Sequence, residues 1–90
     1  MIEEETRVPI EDSFDLHSFL PQDVANALDD YLDEAVKLGL REIRIIHGKG
    51  KGVRRAEVRR VLARDPRVAD FRDAPPGRGG FGATVVLLKK

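Results

Sequence analysis

The chain has 90 residues, 41% of them hydrophobic, with 16 bases against 16 acids. That length supports one small domain with a single core. With no cysteine, disulfides and thiolate metal sites are excluded. No apolar run is long enough to span a bilayer, and the acidic start is unlike a secretory signal, so a soluble cytoplasmic protein is expected.

The balanced charge conceals an asymmetry. Residues 1–35 carry eleven acids and a single base, Arg7, whereas residues 36–90 carry fifteen bases and five acids. Between Arg44 and Arg67 nine bases accompany two acids. A surface of that density attracts phosphate backbones through counterion release. It also suits a solvated helix face balanced by the acidic half of the same fold.

In chain order, residues 1–7 are polar and acidic and read as a flexible terminus, with a single domain over residues 8–90. Val8 to His17 reads as an irregular strand, Pro9 placing its first part at an edge or bulge. Phe14 and Leu16 alternate with Asp15 and His17, which assigns the two pairs to opposite faces. Pro21 suits the first turn of a helix and Asp23 its N-terminal dipole. Val24, Ala27, Leu28, Tyr31, Leu32 and Ala35 then form one apolar stripe, and Gly39 stops the helix.

Glu42 to Ile46 reads as a second strand ending at His47. Because a full helix separates it from the first, the two are expected to be parallel. A second helix is predicted from Val53 to Arg64, with Val58, Val61 and Leu62 apolar. Arg54 stands where the period wants an apolar residue, so it either snorkels or reaches toward a ligand. Asp65-Pro66 ends this helix. Val68 to Arg72 is a short third strand, residues 74–82 a loop rich in glycine and proline, and Ala83 to Leu88 a final interior strand. The order β-α-β-α-β-β implies an α/β (α+β) two-layer sandwich on a mixed four-stranded sheet.

The stretch Ile45 to Val53, IIHGKGKGV, holds the clearest chemical signal. Glycines let a backbone approach a ligand closely, a helix N-terminus offers unpaired N–H groups, and lysine adds charge, all of which suit a phosphate. Parallel neighbours bring Asp15, His17 and His47 together at their carboxyl ends, where ligands bind in open α/β sheets. A carboxylate beside an imidazole orients it, and two histidines near a phosphodiester supply a general base and a general acid. The loop is neither a dinucleotide fingerprint nor a Walker loop, since the G-K-[ST] ending is missing. Three N/O ligands without supporting residues make a weak case for a stable metal site. Phe81, within its glycine loop, either stacks on a base or packs back onto the domain.

At these residues the chain resembles the Smr (small MutS-related) domain, in its free-standing form. The resemblance runs from about Phe14 to Leu88. It rests on D-L-H at Asp15-Leu16-His17, I-I-H-G-K-G-K-G at Ile45 to Gly52, and the segment Pro66 to Val86 with R-V-A-D-F, A-P-P and G-G-F-G-A-T-V-V. It implies a fold similar to the C-terminal domain of bacterial translation initiation factor three, and an endonuclease nicking or cleaving DNA or RNA. By motif position it assigns cleavage to Asp15 and His17. Binding and catalysis fall on His47, Gly48, Lys49 and Gly50, and a third motif near the site on Gly79 to Gly82.

With the charge pattern, the expected binding set is Gly48, Lys49, Gly50, Lys51, Gly52, Arg54, Arg55, Arg59, Gly80, Phe81 and Gly82. No cofactor is expected for binding, and a transient divalent metal is expected only for DNA cleavage, which needs an activated water. Ser18 replaces the glycine common after D-L-H in that family. It keeps open a non-catalytic module for nucleic acid or the ribosome. A protein-interaction domain using Asp29, Asp30 and Asp33 is the third reading. No membrane partner is expected.

Overall fold

The computed structural model describes residues 12–50 and 52–89. Among these, the elements in order are β1 (Asp12–Asp15), α1 (Val24–Lys37), β2 (Glu42–Ile46), α2 (Val53–Arg64), β3 (Val68–Asp73) and β4 (Ala83–Leu88). The sheet order is β1-β2-β4-β3, with β1 parallel to β2 and the other pairs antiparallel. This is the mixed α+β sandwich that the element order implies. β4 lies inside the sheet, and its residues Ala83 to Val86 are buried on both faces.

Both helices cover one face. Val24, Leu28, Leu32 and Ala35 of α1 and Val58 and Leu62 of α2 share a core with Ile43, Ile45, Val86 and Leu88. The stripe on α1 recurs every three or four residues, so each turn buries one apolar side chain. Pro21–Asp23 form a 3-10 turn ahead of α1 rather than its first α-helical turn. At the other end Gly39 has φ +76°, and the Gly39 and Leu40 amides donate to the Val36 and Ala35 carbonyls, both at 3.0 Å. That pattern satisfies carbonyls the helix end would otherwise leave unpaired.

β1 is docked by rings as well as by its ladder. Phe14 stacks on Tyr31 of α1 with centroids 4.7 Å apart, and the Tyr31 hydroxyl donates to Asp12 at 2.9 Å. The beginning of the expected first strand, from Val8, and the terminus over residues 1–7 lie outside the described residues. Past β1, the Leu16 amide still donates to the Ile46 carbonyl at 2.8 Å. His17 then falls in a turn, beyond the strand that the alternation assigned to it. The loop of residues 74–82 contains two 3-10 turns and is tied to the sheet by Arg44, which donates to the Arg78 carbonyl at 3.0 Å. No helix among the described residues is long and apolar enough to cross a membrane.

Leu28 is fully buried between α1 and the sheet. Leu28→Ala is expected to cost about 2–5 kcal/mol, read as a lower urea midpoint with an unchanged m-value.

Candidate nucleic-acid site at the parallel strand ends

The parallel register pairs Asp15 with Ile46, so both chains leave the sheet at the same edge. After β1 the backbone turns, with the Phe19 amide donating to the Leu16 carbonyl at 2.9 Å. The turn brings His17 against Gly48. A Cβ on Gly48 would stand 3.2 Å from the His17 Cβ, and Gly48 has φ +82°. Glycine is therefore required there both for contact and for conformation.

Asp15 holds His17 through a single carboxylate oxygen, which accepts the His17 backbone N–H at 3.0 Å and lies 2.5 Å from Nδ1. With Nδ1–H donating to a carboxylate, Nε2 is the basic nitrogen. The two hydrogen bonds from His17, that from the ring first, hold the Asp15 carboxyl below the usual carboxylate range. Both side chains are exposed, 60% for His17 and 52% for Asp15.

His47 differs. The residue is 2% exposed, with Nδ1 3.0 Å from the Gly48 carbonyl and Nε2 2.9 Å from the Thr84 hydroxyl. Nδ1–H donates to the carbonyl and Nε2 accepts from the hydroxyl, so the neutral ring has both nitrogens occupied. Burial pushes its pKa below 6.5, and the positive charges of Arg55 and Arg59 add to the effect. The His47 and Gly48 amides both donate to the Gly82 carbonyl, at 3.0 and 2.9 Å. Gly82 packs so close to the loop that a Cβ there would lie 3.3 Å from the Lys49 Cγ. The H-G-K-G and G-G-F-G segments, distant in sequence, thus form one double loop.

Between this double loop, the His17 turn and the start of α2 lies a groove of about 470 Å³, whose lining includes His17, Gly48, Lys49, Gly50, Val53 and Arg54. Gly52 sits at its base as the N-cap of α2, with φ +81°. Lys51 lies outside the described residues. Lys49 is exposed and makes no ion pair among the described residues.

The arginines are more constrained than the charge count suggests. Arg54 lines the groove, and its Nε donates to the Phe19 carbonyl at 2.7 Å, which staples α2 to the turn after β1. Arg55 and Arg59 both donate to one Asp73 oxygen, Arg55 at 2.7 Å. The Arg55 and Arg59 guanidinium groups lie over the rings of Phe81 and Phe71 at 5.3 and 5.4 Å. Their hydrogen bonds, Arg55 first, lower the Asp73 pKa. Phe81 remains 66% exposed on the loop.

Among the described residues no group of three or more His, Cys, Asp or Glu side chains converges as metal ligands. The three residues weighed as a ligand set are separated by orientation, with the His47 ring turned toward Thr84.

The sequence matches the family described as the Smr domain over residues 14–89. The chain belongs to that family. Its fold superposes with a TM-score of 0.85 on the Smr domain of Thermus thermophilus MutS2, at 44% identity, covering 88% of this chain and 99% of that one. It superposes equally, at 0.85 and 29% identity, on YdaL, a stand-alone small MutS-related protein from Escherichia coli, covering 97% of this chain and 71% of that one. Among curated proteins it is 54% identical over 69 residues, 73% of the chain, to Endonuclease MutS2 of Thermus thermophilus. It is 39% identical over 89 residues, 99% of the chain, to Endonuclease MutS2 of Staphylococcus aureus. The chain spans only 9% and 12% of the lengths of these two relatives.

Sequence reasoning about this Smr domain passed over Thr84 and Asp73. A lone hydroxyl within the buried run A-T-V-V-L-L was a usable signal, because a buried polar group requires a partner. Asp73 had a weaker one, an acid at a strand end in the basic half.

Gly48→Ala is expected to cost about 1–2 kcal/mol from its left-handed backbone alone. It also pushes on His17, so thermal unfolding should shift down while an NMR shift appears at the His17 ring. Because folding keeps His47 neutral below the pKa of the unfolded chain, the unfolded state binds more protons there. Stability should therefore fall as pH drops below about 6.5, and His47→Gln should flatten that part of the Tm–pH curve.

Proposed function

We propose that this Smr domain binds a nucleic-acid strand by its phosphate backbone and cleaves a phosphodiester bond, with His17 as general base. The Asp15–His17 pair carries the reading. It presents an exposed, oriented imidazole at the edge of a groove whose other wall suits a phosphate. Lys49 supplies charge, and the start of α2 adds N–H groups and the positive end of its dipole. Asp15 holds the Nδ1–H tautomer, which leaves Nε2 free to take a proton. His47 acts here by holding the loop in place, bonded to Thr84 and to the Gly48 carbonyl. Its role in this reading is positioning.

On RNA, Nε2 accepts the proton of the 2′-hydroxyl, whose oxygen attacks phosphorus as the 5′-oxygen leaves and takes a proton from water. On DNA the nucleophile is water, the case in which a divalent ion is expected. The MutS2 relatives carry the name endonuclease, which agrees with either substrate.

The buried His47 ring and Ser18 favour a second reading, a module that holds nucleic acid or the ribosome without turnover. One assay separates them: labelled single-stranded RNA and supercoiled plasmid, each with and without chelator. His17→Ala and Asp15→Asn are expected to lower cleavage by ~10²–10⁴-fold, as loss of a general base does. Lys49→Ala should instead weaken binding and reduce the salt slope by about 1. Equal cleavage by wild type and His17→Ala would remove the proposed base. Salt-dependent binding without product in the wild type would establish the second reading.

A further inference from the structure

In and beside the groove are exposed apolar side chains that a phosphate backbone alone does not explain. Val53, on the groove wall, is 55% exposed, and Phe81, over which the groove residue Arg55 lies, is 66% exposed. Exposing a phenylalanine forfeits the burial that usually places this side chain in a core. Phe81 is nevertheless held by more than its own loop. Its neighbour Gly82 accepts the His47 and Gly48 amides, and the loop is closed by the Gly82 amide donating to the Gly79 carbonyl at 2.8 Å.

The ring is also oriented. Arg55 lies over it at 5.3 Å, and Arg55 is itself fixed by Asp73 at 2.7 Å. One face of the ring is thus backed by an anchored guanidinium. With Arg55 over the ring, the residue still keeps 66% of its surface exposed. Arg55 also lines the groove beside His17 and Lys49, so the ring adjoins the place where a strand's phosphate would sit.

We propose that Phe81, backed by Arg55, is a stacking platform for one unpaired nucleobase, and that the domain therefore prefers unpaired nucleotides over continuous duplex. This rests on the nucleic-acid reading above and narrows it. A continuous duplex offers a shallow surface its phosphates and sugars, with base faces hidden in the stack. An unpaired nucleotide offers a π-face, and stacking on an aromatic ring is tolerant of base identity. The guanidinium behind the ring adds a cation–π contribution, and Asp73 fixes that guanidinium in place. Arg55 on this account does not follow the strand as a free phosphate contact. Its positive charge is shared with Asp73, and its work is to aim the ring.

The test uses short phosphorothioate strands carrying the fluorescent base aminopurine, either single or annealed to a complement, titrated with wild type, Phe81→Ala and Phe81→Tyr. Wild type should bind the single strand more tightly than the duplex and change the aminopurine emission on binding. Phe81→Ala should weaken single-strand binding by about tenfold, within the range measured for a lost base stack, and abolish the emission change. Duplex binding should stay the same, and Phe81→Tyr should behave as wild type. Phe81 is exposed, so its removal leaves the core intact, and circular dichroism of each variant checks this. Equal losses on single strand and duplex, or no loss at all, would overturn the platform while leaving the nucleic-acid reading in place. Binding of neither form by the wild type would overturn both.

Discussion

The site depends on one carbonyl, that of Gly82, which accepts amides from both His47 and Gly48. Two N–H groups converging on one oxygen lock the loop after β2 onto the loop before β4. The His47 ring reinforces the lock from below through Thr84, and Gly48, by lacking a side chain, lets His17 close against it from above. Each part needs the others. The antiparallel register of β2 and β4 sets Gly82 opposite His47, and the parallel register of β1 and β2 delivers Asp15 to the same edge. The groove is therefore a property of sheet order, and the loops only finish it.

Charge is arranged with the same economy. Asp73, Glu57 and Asp65, three of the five acids of residues 36–90, are paired with arginines of that same half. Arg67 additionally reaches Asp29 on α1 at 2.8 Å. Four of the arginines on and beside α2, Arg55, Arg59, Arg60 and Arg67, are thus engaged by acids of their own half. At the groove, Lys49 and Arg54 make no ion pair among the described residues. Pairing of this kind at partly exposed sites adds little stability by itself. Here it orients guanidinium planes, and two of them lie over phenylalanine rings.

The two histidines show where reading the chain by position succeeds and where it stops. Both fall at strand ends, and the parallel pairing inferred from the intervening helix placed them together correctly. Only packing separated them. His17 sits in an exposed turn held by a neighbouring carboxylate, whereas His47 continues the alternation of Ile43 and Ile45 and so faces the helices. Arg54 shows a similar limit. Its misfit in the apolar period was visible, but its partner, the Phe19 carbonyl, lies 35 residues away in the chain.

Local pattern by itself determined the bounds of β2, α2 and β4, the stripe of α1, the mixed sheet and the family. Hydrophobic period and breakers act over a few residues, and short motifs in order suffice to mark kinship. Tertiary structure alone decided which histidine is exposed, which bases are already paired and which way Phe81 is held. Those outcomes turn on burial and on partners brought together from distant parts of the chain, and no window along the sequence contains both members of such a pair.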